Sequence, residues 1–537
     1  MGKIRWQTPI QLRSLLNELV SWKSVTLTEG ERRFPYKLKD LLQTVSYFQK
    51  YDQYISLHHA DKGRKFLTAL YKHPKAVNTV CLISHFDTVN TSEYGKVEAL
   101  ATKPDQLTKV WADSAKEFPP EAARDLQSGS FIFGRGTMDM KMGLALHLQL
   151  MEKAILNHWP INLLLLTVPD EEVNSSGMRH AVPILLDIQK KYGLEYKLFL
   201  NSEPVFSMDG NNDDYFVYTG TIGKILAAAL FFGKEAHAGE PLRGLTSSYM
   251  ASCLTKIMEW NEEFQESQFG EKTPLPITLQ QRDIDLQYST QIPYRSSALY
   301  NIFLMKRTPE EVMDLFEKTA KRAAVECNER YRGICEKHGV LPAGQVKVRR
   351  YQQLFAYAKN KLGAEEAGKI IAEIHAAGEG DDREKSLRIA ERFMFHCQEL
   401  APAIIILFAP PYYPAVNCSH HPFIQKCVSK ITELAHTKFQ LPVKQCHFFN
   451  GICDLSYVHG ESSQSGWETY EKNSPLWPES YYIPFPEMAA LKAPVLNIGP
   501  FGKDPHKRTE RLAIKNAFEE TPVLLEEVIR LTWEEEV

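Results

Sequence analysis

Three short apolar runs in this chain of 537 residues each stop on an acidic or histidine cluster. Val80-Cys81-Leu82-Ile83 precedes Ser84-His85-Phe86-Asp87, Leu163 to Val168 precedes Asp170-Glu171-Glu172, and Leu198-Phe199-Leu200 precedes Glu203. Continuous apolar runs bounded by polar turns read as fully buried parallel strands. Open α/β sheets gather their ligands outside the carboxyl ends of such strands, so the acids and the histidine should converge. Carboxylates crowded at the rim of an apolar sheet repel one another unless a positive charge sits among them. A bound cation supplies it, and the pattern therefore points to a metal site.

The chain exceeds the size at which one core stops growing, so two domains, or one domain with a large insertion, are expected. A hydrophobic share of 44% supports a folded chain, and the formal net charge of -3 gives no electrostatic reason to expect nucleic acid or an anionic membrane as partner. A small molecule is the expected substrate. The nine cysteines form no CxxC pair and are odd in number, which reads as reduced, cytoplasmic usage. The segment after Met1 has no signal-peptide core, Trp6 stands where a myristoylation motif wants Ser or Thr, and no window approaches the roughly 20 apolar residues of a membrane span.

To about residue 218, buried strands alternate with helices, as in the helix 142–157, the strand 162–168, the helix 178–192 and the strand 196–200. This is the βαβ pattern of a mostly parallel sheet flanked by helices. From Tyr218 the texture changes. A strand is expected at 225–232, a helix at 247–264 and a strand at 299–305. Thr308-Pro309-Glu310-Glu311 then opens a helix running towards Tyr331. Residues 335–400, charged and helical in period, read as a solvated helical insertion without a catalytic role. After a strand at 404–408 the βα texture returns, with a helix at 422–436 and strands at 445–449 and 495–498. The expected organisation is a catalytic domain in two parts, 1–218 and 412–537, with an inserted α+β domain at 219–411 enlarged by the 335–400 segment.

His85 at a strand tip suits a metal ligand, with Asp87 as the carboxylate that fixes its other ring N–H. In Gly134-Arg135-Gly136-Thr137-Met138-Asp139-Met140-Lys141 the glycines suit a tight approach to a helix start, where Asp139 is presented. The third glycine of a dinucleotide loop is missing. Glu171 and Glu172, being adjacent, point apart in most conformations. One can bind metal while the other faces a water as general base. Glu203 repeats the strand-tip arrangement. Alone, each motif is as easily a half-buried histidine or a solvated acidic loop.

Together, HxD, GRGxxDxK, DEE with the downstream Gly177, and SEP resemble the dinuclear zinc amidohydrolase and peptidase family of acetylornithine deacetylase, succinyl-diaminopimelate desuccinylase, aminoacylase, peptidase T and the glutamate-releasing carboxypeptidases. Gly233 to Pro241, containing Ala236-His237-Ala238, resembles the family's lid motif, and Gly502 to Glu510 its final His-containing loop. The resemblance implies a zinc-exopeptidase-like catalytic domain with a lid. It also implies two divalent metal ions, with Zn²⁺ suited to His, Asp and Glu ligands and Co²⁺ or Mn²⁺ fitting the same shell. Asp139 would bridge them, His85 and Glu203 completing one shell, Glu172 and His506 the other. Glu171 would be the general base, Asp87 would orient His85, and His237 would stabilise the tetrahedral oxyanion. In many family members that histidine reaches a neighbouring subunit's site, so a homo-oligomer is one expectation and a monomer with an enlarged lid the other.

Where the family's lid often carries an acidic-x-Arg strand, this chain reads Asn301-Ile302-Phe303-Leu304. Arg243 and Arg295 are the candidate substitutes for gripping a substrate carboxylate. The turn Gly451-Ile452-Cys453-Asp454 resembles the family's GxxD turn near the substrate pocket, with a structural turn as the other reading. His420, His421, His447 and Cys453 have no metal-ligand spacing. The long lid, PDEEVNSSG and GPFGKDPHKRTER most resemble the family's bacterial arginine-utilisation branch. The leading expectation is hydrolysis of an amide bond in a small peptide or N-acyl amino acid, in connection with arginine catabolism. The alternatives are a non-catalytic binding relative, against which the complete ligand set argues, and an aminopeptidase or dipeptidase requiring a free amino terminus.

Overall fold

The structure is a computed structural model that describes residues 4–206, 214–284, 290–378, 380–459 and 464–534. The chain forms two compact units, one built from Met1–Thr221, Val416–Glu461 and Pro484–Val537, the other from Ile222–Ala415 and Ser462–Ile483.

The first unit is organised on an eight-stranded sheet in the spatial order Ile55–His59, Lys65–Tyr71, Asn162–Val168, Asn78–His85, Glu195–Asn201, Val495–Asn497, Tyr215–Tyr218 and Val443–Cys446. Its centre is parallel: Asn78–His85 pairs in parallel with Asn162–Val168 on one side and Glu195–Asn201 on the other. Every residue of Asn78–His85 and Asn162–Val168 is buried, as expected of strands covered by helices on both faces. The register sets His85 opposite Val168, and Ile83 opposite both Leu166 and Asn201. The carboxyl ends of the three strands thus finish at one level, and the loops that follow them leave the same edge. Antiparallel strands occur at the Ile55–Tyr71 flank and where Asn497 meets Tyr218.

Helix Met142–Asn157 is buried along most of its length. The first helix, Pro9–Ser21, opens with a Thr8–Gln11 capping box and proline in its first turn. Just before it, the amides of Arg5 and Trp6 donate to the Glu152 carboxylate, both at 2.9 Å, tying the amino-terminal segment to helix Met142–Asn157. Among the described residues no helix is long and apolar enough to cross a membrane.

The second unit is a five-stranded sheet in the order Ile277–Asp283, Arg295–Leu304, Gly223–Phe232, Ala403–Tyr413 and Lys347–Arg350, with all pairs antiparallel except the last. The small Ala227-Ala228-Ala229 run lies at its centre and is fully buried. Helices Ser247–Met258 and Pro309–Lys337 pack together, the second starting at a Thr308–Glu311 capping box. The 335–400 segment is not only a solvated helical layer. Lys347–Arg350 adds an edge strand, and helix Asp382–His396 buries Leu387, Ile389, Ala390, Phe393 and Met394. Its charges occupy the outward positions of an amphipathic helix, and they masked the apolar stripe beneath. Residues 462–483, which the sequence pattern grouped with the catalytic part, belong to this unit. Tyr470 is fully buried, with its ring centroid 5.5 Å from Phe408 and 4.9 Å from Tyr412.

Close backbone approach fixes Gly499, just beyond strand Val495–Asn497, where a Cβ would lie 1.9 Å from the Glu203 carbonyl oxygen. Gly368, by contrast, lies in helix Ala364–Ala376, and a Cβ there would meet only open space. Gly499→Ala is expected to lower the melting temperature by the equivalent of about 1–3 kcal/mol or more. Gly368→Ala should raise stability by roughly 0.5–1 kcal/mol through a lower entropy cost of helix formation. Thermal unfolding of the two variants checks both signs.

Candidate metal centre

Seven of the eight sequence-predicted residues come together at the carboxyl edge of the main sheet; the eighth, His237, lies in the second unit. His85 ends its strand with a buried ring whose Nε2 lies 3.3 Å from Asp139 Oδ1, 3.6 Å from Glu203 Oε1 and 3.8 Å from Glu171 Oε2. His506 Nε2 lies 3.0 Å from Asp139 Oδ2 and 3.0 Å from Glu172 Oε2. Asp139 therefore turns one carboxylate oxygen to each histidine. The donor atoms form two groups, His85–Asp139–Glu203 and Asp139–Glu172–His506, and within each group they lie within 4.8 Å of one another.

Asp87 supports two parts of this arrangement. Its backbone oxygen lies 3.1 Å from His85 Nδ1, so the contact that holds the ring is to the main chain, while the carboxylate stands 3.5 Å away. The carboxylate instead accepts from the backbone N–H groups of Glu171 (3.1 Å) and Glu172 (3.3 Å) and from the Thr26 hydroxyl (2.9 Å). It thereby fixes the acidic loop, and the two glutamates point apart, Glu171 towards His85 and Glu172 towards His506.

Two buried arginines hold the loops from behind. Arg64 pairs with Asp170 (2.5 Å), Glu31 (3.4 Å) and Asp61, while the Asp170 carboxylate also accepts from Ser176 N–H at 3.1 Å. Asp170 has a positive φ of 69°, and this anchoring holds a conformation that a non-glycine residue adopts at some cost. Arg135 pairs with Glu510 (2.5 Å) and Glu93. Arg64 and its partner Glu31 carried no sequence signal, since their spacing follows no motif. Asp170 and Arg135 stand inside recognisable motifs, but beside residues whose metal-ligand chemistry is the more conspicuous.

The electrostatics explain why these groups need one another. Burial pushes Glu171 and Glu203 well above the ordinary carboxylate range and raises Glu172 as well, with neighbouring carboxylates adding to the effect. Burial also works against the His85 imidazolium, but the carboxylates of Glu203, Asp139 and Asp87 prevail and hold its pKa well above normal. His506 is likewise pushed up, to about 11, by Asp139 and Glu172 against the partial desolvation of its ring. Asp139, although partly withdrawn from water, is held well below the usual range by hydrogen bonds to the two histidines. The cluster thus concentrates negative charge that positive partners must answer. Among the described residues no hydrogen-bond donor reaches the buried Glu203 Oε1. An orphaned acceptor beside an imidazole and a second carboxylate fits a divalent cation with oxygen and nitrogen ligands.

Asp454 joins the same region. It is buried at the start of the turn Asp454–Tyr457, its own carboxyl is raised by burial to about 7, and its charge raises Glu171 and Glu203. The GxxD pattern was the signal for it. The candidate carboxylate grips fare differently. Arg295 is paired with Glu391 at 2.7 Å, its guanidinium centred 5.0 Å from the Tyr294 ring and 5.1 Å from the Phe395 ring; Arg243 is exposed, 3.4 Å from Glu240. Among the described residues, His420, His421, His447 and Cys453 belong to neither donor group.

The profile of the peptidase family M20/M25/M40 matches residues 81–438. The chain belongs to this family. YqjN of Bacillus subtilis (strain 168) is 38% identical over 528 residues, covering 97% of this chain and 96% of the relative. Protein RocB of the same organism is 27% identical over 549 residues, covering 98% and 95%. Among solved structures, a metallo-carboxypeptidase from Sulfolobus solfataricus superposes with a TM-score of 0.55 at 12% identity, covering 97% of this chain and 99% of that one. A tripeptidase from Staphylococcus aureus does so with a TM-score of 0.54 at 13% identity, covering 98% and 100%. As a member of the M20 family this chain is a metallopeptidase or amidohydrolase that hydrolyses a peptide or amide C–N bond.

The Arg64 network separates a buried from an exposed ion pair. Arg64→Ala should cost about 3–5 kcal/mol, because it strands buried Glu31 and Asp170 without their counter-charge. Arg13→Ala, which removes an exposed pair with Asp105, should cost no more than about 1 kcal/mol. Denaturant melts of the two variants give the comparison.

Proposed function

We propose that this chain is a two-metal hydrolase of an amide bond in a small peptide or N-acyl amino acid, with Glu171 as its general base. The observation that carries the reading is the Asp139 carboxylate, whose two oxygens face two histidines in separate donor groups, at 3.3 and 3.0 Å. In this reading His85, Asp139 and Glu203 hold one divalent ion and Asp139, Glu172 and His506 the other, zinc being the metal that this donor set suits. When bound, such a pair polarises the scissile carbonyl and lowers the pKa of the attacking water.

Glu171 is largely shielded beside His85, with a carboxyl pKa raised well above normal, which suits a group that must take a proton from water near neutral pH and return it to the leaving nitrogen. Asp87 keeps that carboxylate in place through the Glu171 backbone. His237 Nδ1 accepts the Gly239 N–H at 3.0 Å, so the neutral ring carries its proton on Nε2. That tautomer is the one able to donate to a developing oxyanion, which supports the assignment of His237 to this role.

The substrate class rests on chemistry and likeness together. The full-length similarity to RocB and the motifs shared with the arginine-utilisation branch support a role in arginine catabolism. The alternative within the same hydrolytic reading is an aminopeptidase or dipeptidase that requires a free amino terminus, a question of pocket polarity rather than of the metal centre. Because Arg295 is locked between Glu391 and two aromatic rings, a substrate carboxylate must be met by another group.

Glu171→Gln is expected to keep both metals while turnover falls at least about 10²–10⁴-fold. Metal analysis alongside hydrolysis of a panel of free dipeptides and N-acyl amino acids tests both halves; full activity in the variant would remove Glu171 from its role. Chelation should abolish turnover on the same panel, and added Zn²⁺, Co²⁺ or Mn²⁺ should restore it. Activity that survives complete metal removal would defeat the two-metal reading.

A further inference from the structure

We propose that Arg135 is the positioning residue of His506, and that through it the chain sets the affinity for one of the two metal ions independently of the other. This role depends on His506 being a ligand, as proposed above. The two donor groups are built differently. His85 ends a central strand and Glu203 follows the end of its neighbour, with side chains only 1% and 4% exposed. The His506 side chain is 53% exposed, and its backbone has a φ of +64° in the irregular turn between strands Gly502–Lys503 and Arg511–Ala513. The ring thus lacks the strand-end support that His85 has.

Beyond the contacts of the ring to Asp139 and Glu172, the turn is held through its main chain. The Arg135 guanidinium, 1% exposed, donates Nη2 to the His506 carbonyl oxygen at 3.0 Å and Nη1 to Glu510 Oε2 at 2.5 Å. Nη2 also pairs with Glu93. The neighbouring Gly134 N–H donates to the Glu510 carbonyl at 3.2 Å. The turn is therefore gripped at His506 and again further along, at Glu510. A planar fork with fixed donor directions can reach a carbonyl and two carboxylates at once; a lysine ammonium, a single point charge on a flexible stem, cannot hold all three in the same geometry. Arg135 grips His506, Glu510 and Glu93, none of which belongs to the His85 donor group, so its influence should fall on the His506 group. Groups that orient a ligand from behind typically change metal affinity about 10–100-fold when lost.

Calorimetric titration of the metal-free full chain with Co²⁺, for the wild type and for Arg135→Lys, Glu93→Gln and His506→Ala, tests this, with the melting temperature of each metal-free protein measured beside it. Wild type should bind two ions and His506→Ala one. Arg135→Lys should weaken one binding event about 10–100-fold and leave the other unchanged, and Glu93→Gln should shift the same event by less. Wild-type affinity at both sites in Arg135→Lys and Glu93→Gln would overturn the proposal. So would equal weakening of both sites in step with a fall in melting temperature, the result of a merely structural ion pair. If Arg135→Lys does not fold, Glu93→Gln decides by the same criterion. A wild type that binds fewer than two ions, or a His506→Ala protein that still binds two, would instead remove the ligand assignment and the proposal with it.

Discussion

Charge crowding at the end of an apolar sheet is the constraint around which the first unit is built. Asp139, Glu171, Glu172, Glu203 and Asp454 gather around the ends of strands whose last residues are buried. An unpaired carboxylate in such a place costs several kcal/mol, and each added neighbour raises the cost for the rest. Two imidazoles answer the charge from within the cluster, while Arg64 and Arg135 answer it from the layer behind. These arginines neutralise Asp170, Glu31 and Glu510, so that the backbone carrying the central acids can be buried at all.

Much of this was legible in the sequence, for a reason that also marks where legibility stops. Buried parallel strands need continuous apolar residues, so their ends show as sharp transitions, and His85, Asp170 to Glu172 and Glu203 stand at those transitions. The register then does what a sequence cannot display, setting His85, Val168 and Asn201 at one edge. Arg64 was invisible because it reaches Asp170 across 106 positions of chain, and no periodicity encodes such a partner. His506 was found only through the resemblance of its loop, since a lone exposed histidine on a turn carries no pattern of its own.

The second unit shows the opposite failure. Its charged segment looked like a detachable layer because surface charge dominates composition, yet Lys347–Arg350 completes one edge of the sheet and helix Asp382–His396 places five apolar side chains in the core. Amphipathic helices rich in Arg and Glu hide a narrow apolar stripe well. Parallel pairing of a four-residue strand with Ala403–Tyr413 is weaker still as a pattern, because it needs a partner about 55 residues away and a helical crossover between them.

The segment Ser462–Ile483 ties the two units together in time as well as in sequence. Tyr470 and Tyr481 are fully buried in the second unit, and the Tyr481 hydroxyl accepts from the Tyr412 backbone N–H at 2.9 Å. During synthesis, the five-stranded sheet can therefore be paired once residue 413 has emerged, but its aromatic face stays uncovered until residue 483 follows. The main sheet waits longer for Val495–Asn497, which pairs with Glu195–Asn201. The second unit is thus complete once Ile483 has emerged, before the main sheet receives its last strand. A chain grown to residue 413 but not yet to Tyr470 would leave Phe408 and Tyr412 without their aromatic partner, surface of the kind that chaperones shield.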